Sequence, residues 1–288
     1  MHRRRMLKAA LLTSLAAGSS WTGARTARAA GSNRAGRADD PKELAHAVTK
    51  GVDYFIRRCD EQLPLVRRLH KAVESGDLHA AKRAYVDARP PYEEIETLAA
   101  DFSQSDRDID ARPYAFEDGE HDENFRGFHK IEALLYGYED LNAARPYAAQ
   151  LVESVELLGK ELRQRGRFDA AGQFDGMVTL ATEVSAKKIS SEEETWSDQS
   201  LLIFRHNWIG IMSQYRPFMD VLGETDTNVE STRTAHEHAK GLLKPHFREG
   251  EAGGTPYSRI RIKERRAMAD ASNRLRDALI STRRAIGV

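Results

Sequence analysis

The sequence predicts an all-α protein built as two packed antiparallel four-helix bundles. Apolar residues recur at helical spacing through most windows after residue 41, no window alternates as a strand would, and the breaks between periodic segments are short. Long amphipathic helices joined by short loops pack antiparallel, and this chain has more of them than one four-helix bundle holds. Composition agrees: 31% of the 288 residues are charged and only 9 are proline, a mixture that favours helix.

Residues 1–29 read as a signal peptide. Arg3, Arg4 and Arg5 precede Met6-Leu7-Lys8, a weakly apolar run covers Ala9 to Gly18, and Ala27-Arg28-Ala29 is an A-x-A site with the cut before Ala30. The run is too short to span a bilayer. Its Arg-Arg-x-Met-Leu-Lys order resembles a twin-arginine export signal, and a general secretory signal with a basic start is the other reading. Residues 30–40 read as a flexible linker and 41–288 as the helical domain, with bundles over about 41–140 and 141–288. No later segment has enough continuous apolar residues to cross a membrane.

Within the domain, Val48, Val52, Phe55 and Ile56, then Leu63, Val66 and Leu69, mark a first helix that Ser75-Gly76-Asp77 ends. Pro90-Pro91 opens a new segment whose apolar stripe is Tyr92, Ile95, Leu98, Ala99 and Phe102. Residues 103–122, rich in Asp and holding Arg112-Pro113, read as a long ordered loop. Asn124 starts a helix carrying Phe125, Phe128, Ile131, Leu134 and Leu135. Further helices are expected at about 146–165, 168–188, 193–221, 226–245 and 256–286, with Gly250 to Thr255 as a loop. Trp196, Trp208, Tyr215 and Phe218 fall along one of these helices, which Pro217 should kink or end.

The 44 Lys and Arg balance 44 Asp and Glu, so no bulk field draws the chain to nucleic acid or an anionic membrane. The basic positions Arg259, Arg261, Lys263, Arg265 and Arg266 read as a solvated helix face. A lone Cys59 cannot form an internal disulfide and reads as a small packing residue.

The chemistry concentrates between Arg89 and Glu132. Glu93 and Glu96 share a helix face, His129 and Glu132 share another, and Asp106 and Asp110 lie between them. Two helices, each with an i,i+3 pair of ligands, can converge on one cation in a bundle core. An oxygen-rich set with a single imidazole suits iron or another hard-to-borderline cation. Such spacings also occur on solvated faces, and spacing alone leaves both readings open. His129, set between Phe128 and Ile131, belongs on a buried face, where it needs partners. His236, His238 and His246 read as a surface metal site or as solvated helix residues. His236-Glu237-His238 is not H-E-x-x-H, because Lys240 stands where the second histidine is required.

Three ordered blocks carry a resemblance: Ala88-Arg89-Pro90-Pro91-Tyr92-Glu93-Glu94-Ile95-Glu96, Ile109-Asp110-Ala111-Arg112, and Gly127-Phe128-His129-Lys130-Ile131-Glu132. They resemble the imelysin-like family, in its EfeO/EfeM-type branch of periplasmic iron-uptake components. A later block, Glu183-Val184 and then Lys188 through Trp196-Ser197, agrees, so the resemblance covers about residues 40–288. It implies a metal site in the cleft between two bundles, with Glu93, Glu96, Asp110, His129 and Glu132 as ligands. Glu192 or Glu193 would add a further acid, and Asp106 and Arg112 would orient the carboxylates. It also implies an exported, periplasmic or extracellular, non-enzymatic protein. Such a protein captures iron, ferrous or ferric, with copper or zinc as other candidates. The cargo would pass to a membrane iron permease, alongside a haem-containing peroxidase. Ser200 and Ile203 depart from the branch, standing where acids are usual. A metal-dependent hydrolase using the same cluster, or a helical module without a tight metal site, are the competing functions.

Overall fold

A computed structural model describes residues 40–190 and 193–288, so the signal-peptide reading, residues 30–39 of the linker and Glu192 lie outside the described residues. Asp40 caps the first helix by accepting the Lys42 N–H, with Pro41 in the first turn, where a missing N–H costs nothing. α1 (Pro41–Glu74) runs 34 residues, about 50 Å, and serves two cores. Ala47, Val48 and Val52 join one of them, and Phe55 through Val73 join the other. Gly76 takes a φ of +77°, which a residue without a Cβ adopts freely. Asp77 then caps α2 (Leu78–Ile95) through the Ala80 N–H, and this tight turn folds α2 back along α1.

α2 runs through Pro90 and Pro91 without a break, which corrects the expectation that the pair opens a new segment. Each proline deletes one i→i−4 hydrogen bond, at roughly 3 kcal/mol in a free helix. Burial of Tyr85, Ala88, Tyr92 and Ile95 in the first core offsets that loss. A 3-10 turn, Glu96–Phe102, leads to α3 (Ser103–Asp110), where the sequence predicts only loop. α3 has a single apolar side chain, Ile109, so it carries no stripe to read. Polar contacts hold it instead: Ser105 donates to Glu161 at 2.5 Å and Arg126 pairs with Asp108. The following helix begins at Phe128 rather than Asn124. Gly127 has a φ of +83°, and a Cβ there would lie 2.4 Å from the Ile109 carbonyl oxygen. α4 (Phe128–Glu132) passes directly into a π-turn, Ala133–Gly137.

α5 (Leu141–Leu162) packs Ala144, Leu151, Val155 and Leu158 into the same core as α1 and α2. α5 thus packs on the first core, while α1 is shared between the two. Cys59 lies in this first core, its thiol directed at the Val155 carbonyl oxygen at 3.6 Å, and burial pushes the thiol up to about 12. That is an inert packing position.

The second core is enclosed by α6 (Ala170–Glu183), α7 (Ser200–Leu222), α8 (Thr227–Leu243) and α9 (Ile262–Ile286) around Phe174, Phe204, Trp208, Tyr215 and Phe218. α6 also ends in a π-turn, Val184–Lys188. α7 starts at Ser200 rather than near 193, because the chain before it turns, with Asp198 at a φ of +62°. Trp196 is thus off the helix that carries Trp208. Pro217 sits inside α7, which continues to Leu222. Part of the late basic run has structural work: Arg261 pairs with Glu264 at the start of α9, and Arg265 lies 4.1 Å from the centre of the Tyr257 ring. Among the described residues the only β-type pairing is one isolated bridge, Phe247 with Gly254, and no helix is long and apolar enough to cross a membrane.

α2 and α7 meet with little space between them. A Cβ on Gly210 would lie 2.3 Å from the Glu94 carbonyl oxygen, so Gly210→Ala should cost about 1–3 kcal/mol by forcing the helices apart. Gly241→Ala, in open space on α8, should instead gain roughly 0.5–1 kcal/mol. Urea denaturation of the two variants reads the opposite signs.

Candidate metal centre

Where α2 meets α7, a layer of charge lies largely withdrawn from water. Glu93, Glu96, Asp110, Glu132, Glu193 and Glu194 are all buried, together with Arg89, Lys188 and His129. Buried carboxylates persist only when cations and hydrogen-bond donors compensate them. Arg89 does most of this. Its Nη2 is 2.6 Å from Glu93 Oε1, one turn away on α2. Its Nη1 is 2.5 Å from Asp110 Oδ1, at the end of α3. Its Nε is 2.9 Å from Glu194 Oε1. The guanidinium also lies 4.6 Å from the centre of the Phe128 ring.

Lys188, at the end of the second π-turn, takes the neighbouring acids: Glu96 at 2.7 Å, Glu193 at 3.1 Å and Glu93 at 3.8 Å. Asn207 of α7 donates its amide to the Glu93 carbonyl and to the Glu93 and Glu96 carboxylates. Arg112 pairs with Glu193 and stands 3.7 Å from Asp110 Oδ2. Glu132 accepts the backbone N–H groups of Trp196 and Ser197 at 2.9 and 2.8 Å. Glu194 accepts the hydroxyls of Ser197 and Tyr85.

His129 is the shared member. Its Nδ1 is 3.1 Å from Glu132 Oε2 and its Nε2 is 3.5 Å from Asp110 Oδ1. When Glu132 is ionised, Nδ1–H donates to it and Nε2 presents its lone pair; Nε2 has no hydrogen-bond partner among the described residues. Two groups of possible ligand atoms meet at this ring, Asp110–His129–Glu193 and His129–Glu132–Glu194, the atoms of each within 4.8 Å of one another.

Charge states divide the acids. Burial opposes ionisation of Asp110, but Arg89, aided by Arg112 and Lys188, outweighs it and holds the carboxyl well below the usual range. Glu193 is likewise opposed by burial and drawn down to about 2 by Arg112 and Lys188. Burial pushes Glu132 well above the usual range, and neighbouring Glu194 adds to it. Glu93, Glu96 and Glu194 are also raised, with burial prevailing over their cations. Burial drives His129 down to about 3, which keeps the imidazole neutral, the form that ligates a metal. Two ionised carboxylates and one neutral imidazole with an unused nitrogen fit a divalent cation.

Of the residues named from the sequence, Asp110, His129, Glu132 and Glu193 stand together. Glu93 and Glu96 lie in the same layer but face Arg89, Lys188 and Asn207. Asp106 stands off the ring, accepts the Tyr92 hydroxyl, and is pushed up to about 6, chiefly by burial. The two possible ligand groups include none of His236, His238 and His246. Sequence reasoning missed Glu194, since nothing in the run Glu192-Glu193-Glu194 marks which acid faces inward. It also missed Arg89 and Lys188 as counter-ions, although Arg89 four residues before Glu93 was a readable i,i+4 signal. A cleft of about 680 Å³ reaches this layer from the surface, and Glu96, Asp106, Asp110, Arg112, Asp175 and Glu183 lie on its wall.

Residues 62–281 match the family described as imelysin, peptidase family M75. The iron uptake system component EfeM of Pseudomonas syringae pv. syringae (strain B728a) is 27% identical over 248 residues, 86% of this chain and 87% of that protein. An Efem/EfeO family lipoprotein of Staphylococcus aureus (strain MRSA252) is 28% identical over 246 residues, 84% of this chain and 85% of that protein.

Because Arg89 is the shared cation of three buried acids, Arg89→Met should destabilise the metal-free protein by about 3–5 kcal/mol. Urea denaturation measures it. A loss under about 1 kcal/mol would mean that protons on the acids replace the guanidinium.

Proposed function

We propose that this chain, which belongs to the imelysin family, captures iron outside the cytoplasm at His129, Asp110 and Glu193, with Glu132 and Glu194 beside them, and hands it to a membrane permease. The observation that carries the reading is the buried, neutral His129 imidazole. Its Nε2 is unpartnered among the described residues and stands in one group with two carboxylates kept ionised. Oxygen ligands with one imidazole suit iron, and also zinc or copper. Glu93 and Glu96, which the resemblance put among the ligands, here anchor Arg89 and Lys188 and so hold the ligand shell in place. Relatives named as an iron uptake component and as lipoproteins support export, as do the basic, apolar and A-x-A segments of residues 1–29. Transfer to a permease, with a haem-containing peroxidase acting on the iron's oxidation state, completes the proposed role.

Calorimetric titration of the metal-free protein with iron(II), under exclusion of oxygen, tests it. Near-stoichiometric binding is expected, and a His129→Ala/Glu132→Ala variant should lose it while keeping its helical content. If the intact protein is silent toward iron, copper, zinc and manganese, the buried acids serve only to join the helices. The family's peptidase title supplies the competing reading. Cleavage of a protein substrate that is lost on His129→Ala would favour it.

The affinity should depend on pH with a definite sign. Burial favours the protonated form of Glu132, and a cation must expel that proton. Affinity should therefore rise with pH above the ordinary carboxylate range, with release of protons as the ion binds. Titrations in buffers of different ionisation enthalpy measure the release, and pH-independent affinity would contradict it.

A further inference from the structure

The three cations among the buried acids are not equivalent. The side chains of Arg89 and Lys188 are 1% and 3% exposed, whereas that of Arg112 is 18% exposed. Of the three, only Arg112 lies on the wall of the 680 Å³ cleft. It extends from non-helical backbone after α3, with φ −85° and ψ 158°, so no helical neighbours confine its side chain. Its guanidinium rests on Glu193 and near Asp110, two of the three members of the Asp110–His129–Glu193 group. Its Nε has no hydrogen-bond partner among the described residues. Arg89 shares the unpartnered Nε but is held more tightly, with three short ion pairs and an aromatic face beneath it.

The Arg112 guanidinium, on Glu193 and 3.7 Å from Asp110 Oδ2, would stand beside a metal ion bound to those two carboxylates, and two cations that close repel. We propose that Arg112 is the gate of the centre. Its guanidinium stands in for the ion in the metal-free protein and swings into the cleft as the ion takes Glu193 and Asp110. The inference rests on the metal-binding reading above. The cleft offers the displaced guanidinium a destination, since Asp106 on its wall takes the Tyr92 hydroxyl and has no ion pair among the described residues. Capture then moves a positive charge outward to the cleft surface. Its return competes with the ion for the same oxygens and speeds release, as a carrier that passes on its cargo requires.

The test uses the whole protein, with zinc(II) as a redox-inert probe and iron(II) without oxygen, and follows chelator-driven release by stopped flow. Arg112→Gln removes the competing charge, so it should bind roughly tenfold or more tightly and release correspondingly more slowly. Weaker binding in a variant with an unchanged unfolding midpoint would overturn the gate, because the guanidinium would then be a scaffold that presents the carboxylates. A second measurement needs no variant: phenylglyoxal, which modifies accessible arginines, followed by peptide mass spectrometry. Arg112 should be protected in the metal-free protein and modified once zinc is bound, and equal protection in both states would overturn the proposal. Failure of the intact protein to take up either metal would end the metal reading itself, and that result appears before any variant is made.

Discussion

Out of reach of water, the guanidinium of Arg89 joins Glu93 on its own helix, Asp110 at the end of α3 and Glu194 ahead of α7. Those segments are far apart in the chain, and none could bring its acid inside alone. A buried carboxylate without a partner would take up a proton or stay at the surface. One guanidinium charge lies within ion-pair distance of all three acids and hydrogen-bonds Asp110. Lys188 repeats the solution on the other side of Glu93, with Glu96 and Glu193.

Six buried acids around three cations would leave an excess of negative charge if all were ionised. Some of that excess is relieved by protons, since Glu132 and Glu93 are pushed up by burial. The layer therefore contributes little as a source of stability, because buried ion pairs often no more than break even against an apolar core.

Backbone geometry makes the layer possible. Gly127 lets the His129 helix approach the Ile109 carbonyl, which sets the ring beside Asp110. Gly210 lets α7 lie close on α2, within reach of Asn207 to both glutamates. Both π-turns directly adjoin the site, one following Glu132 and the other ending at Lys188. Widened helical turns of this kind re-aim side chains and recur at functional sites.

The helical class was legible in the sequence because apolar periodicity is a local property. Val48, Val52 and Phe55 on α1, or Leu151, Val155 and Leu158 on α5, bury their faces wherever the helix docks. The candidate ligands were legible to the extent that they occur as i,i+3 pairs and ordered blocks, as with His129 and Glu132. Pro90, Pro91 and the polar helix α3 were misread. Local propensity disfavours those helices, and only contacts with distant residues such as Glu161 and Arg126 sustain them. The sequence by itself determined that Glu93, Glu96, His129 and Glu132 would lie on helices with apolar faces. Which acids meet His129, which are neutralised by Arg89 and Lys188, and which cation borders the cleft were decided by tertiary structure alone. Charge compensation depends on distances between segments that the order of residues does not encode.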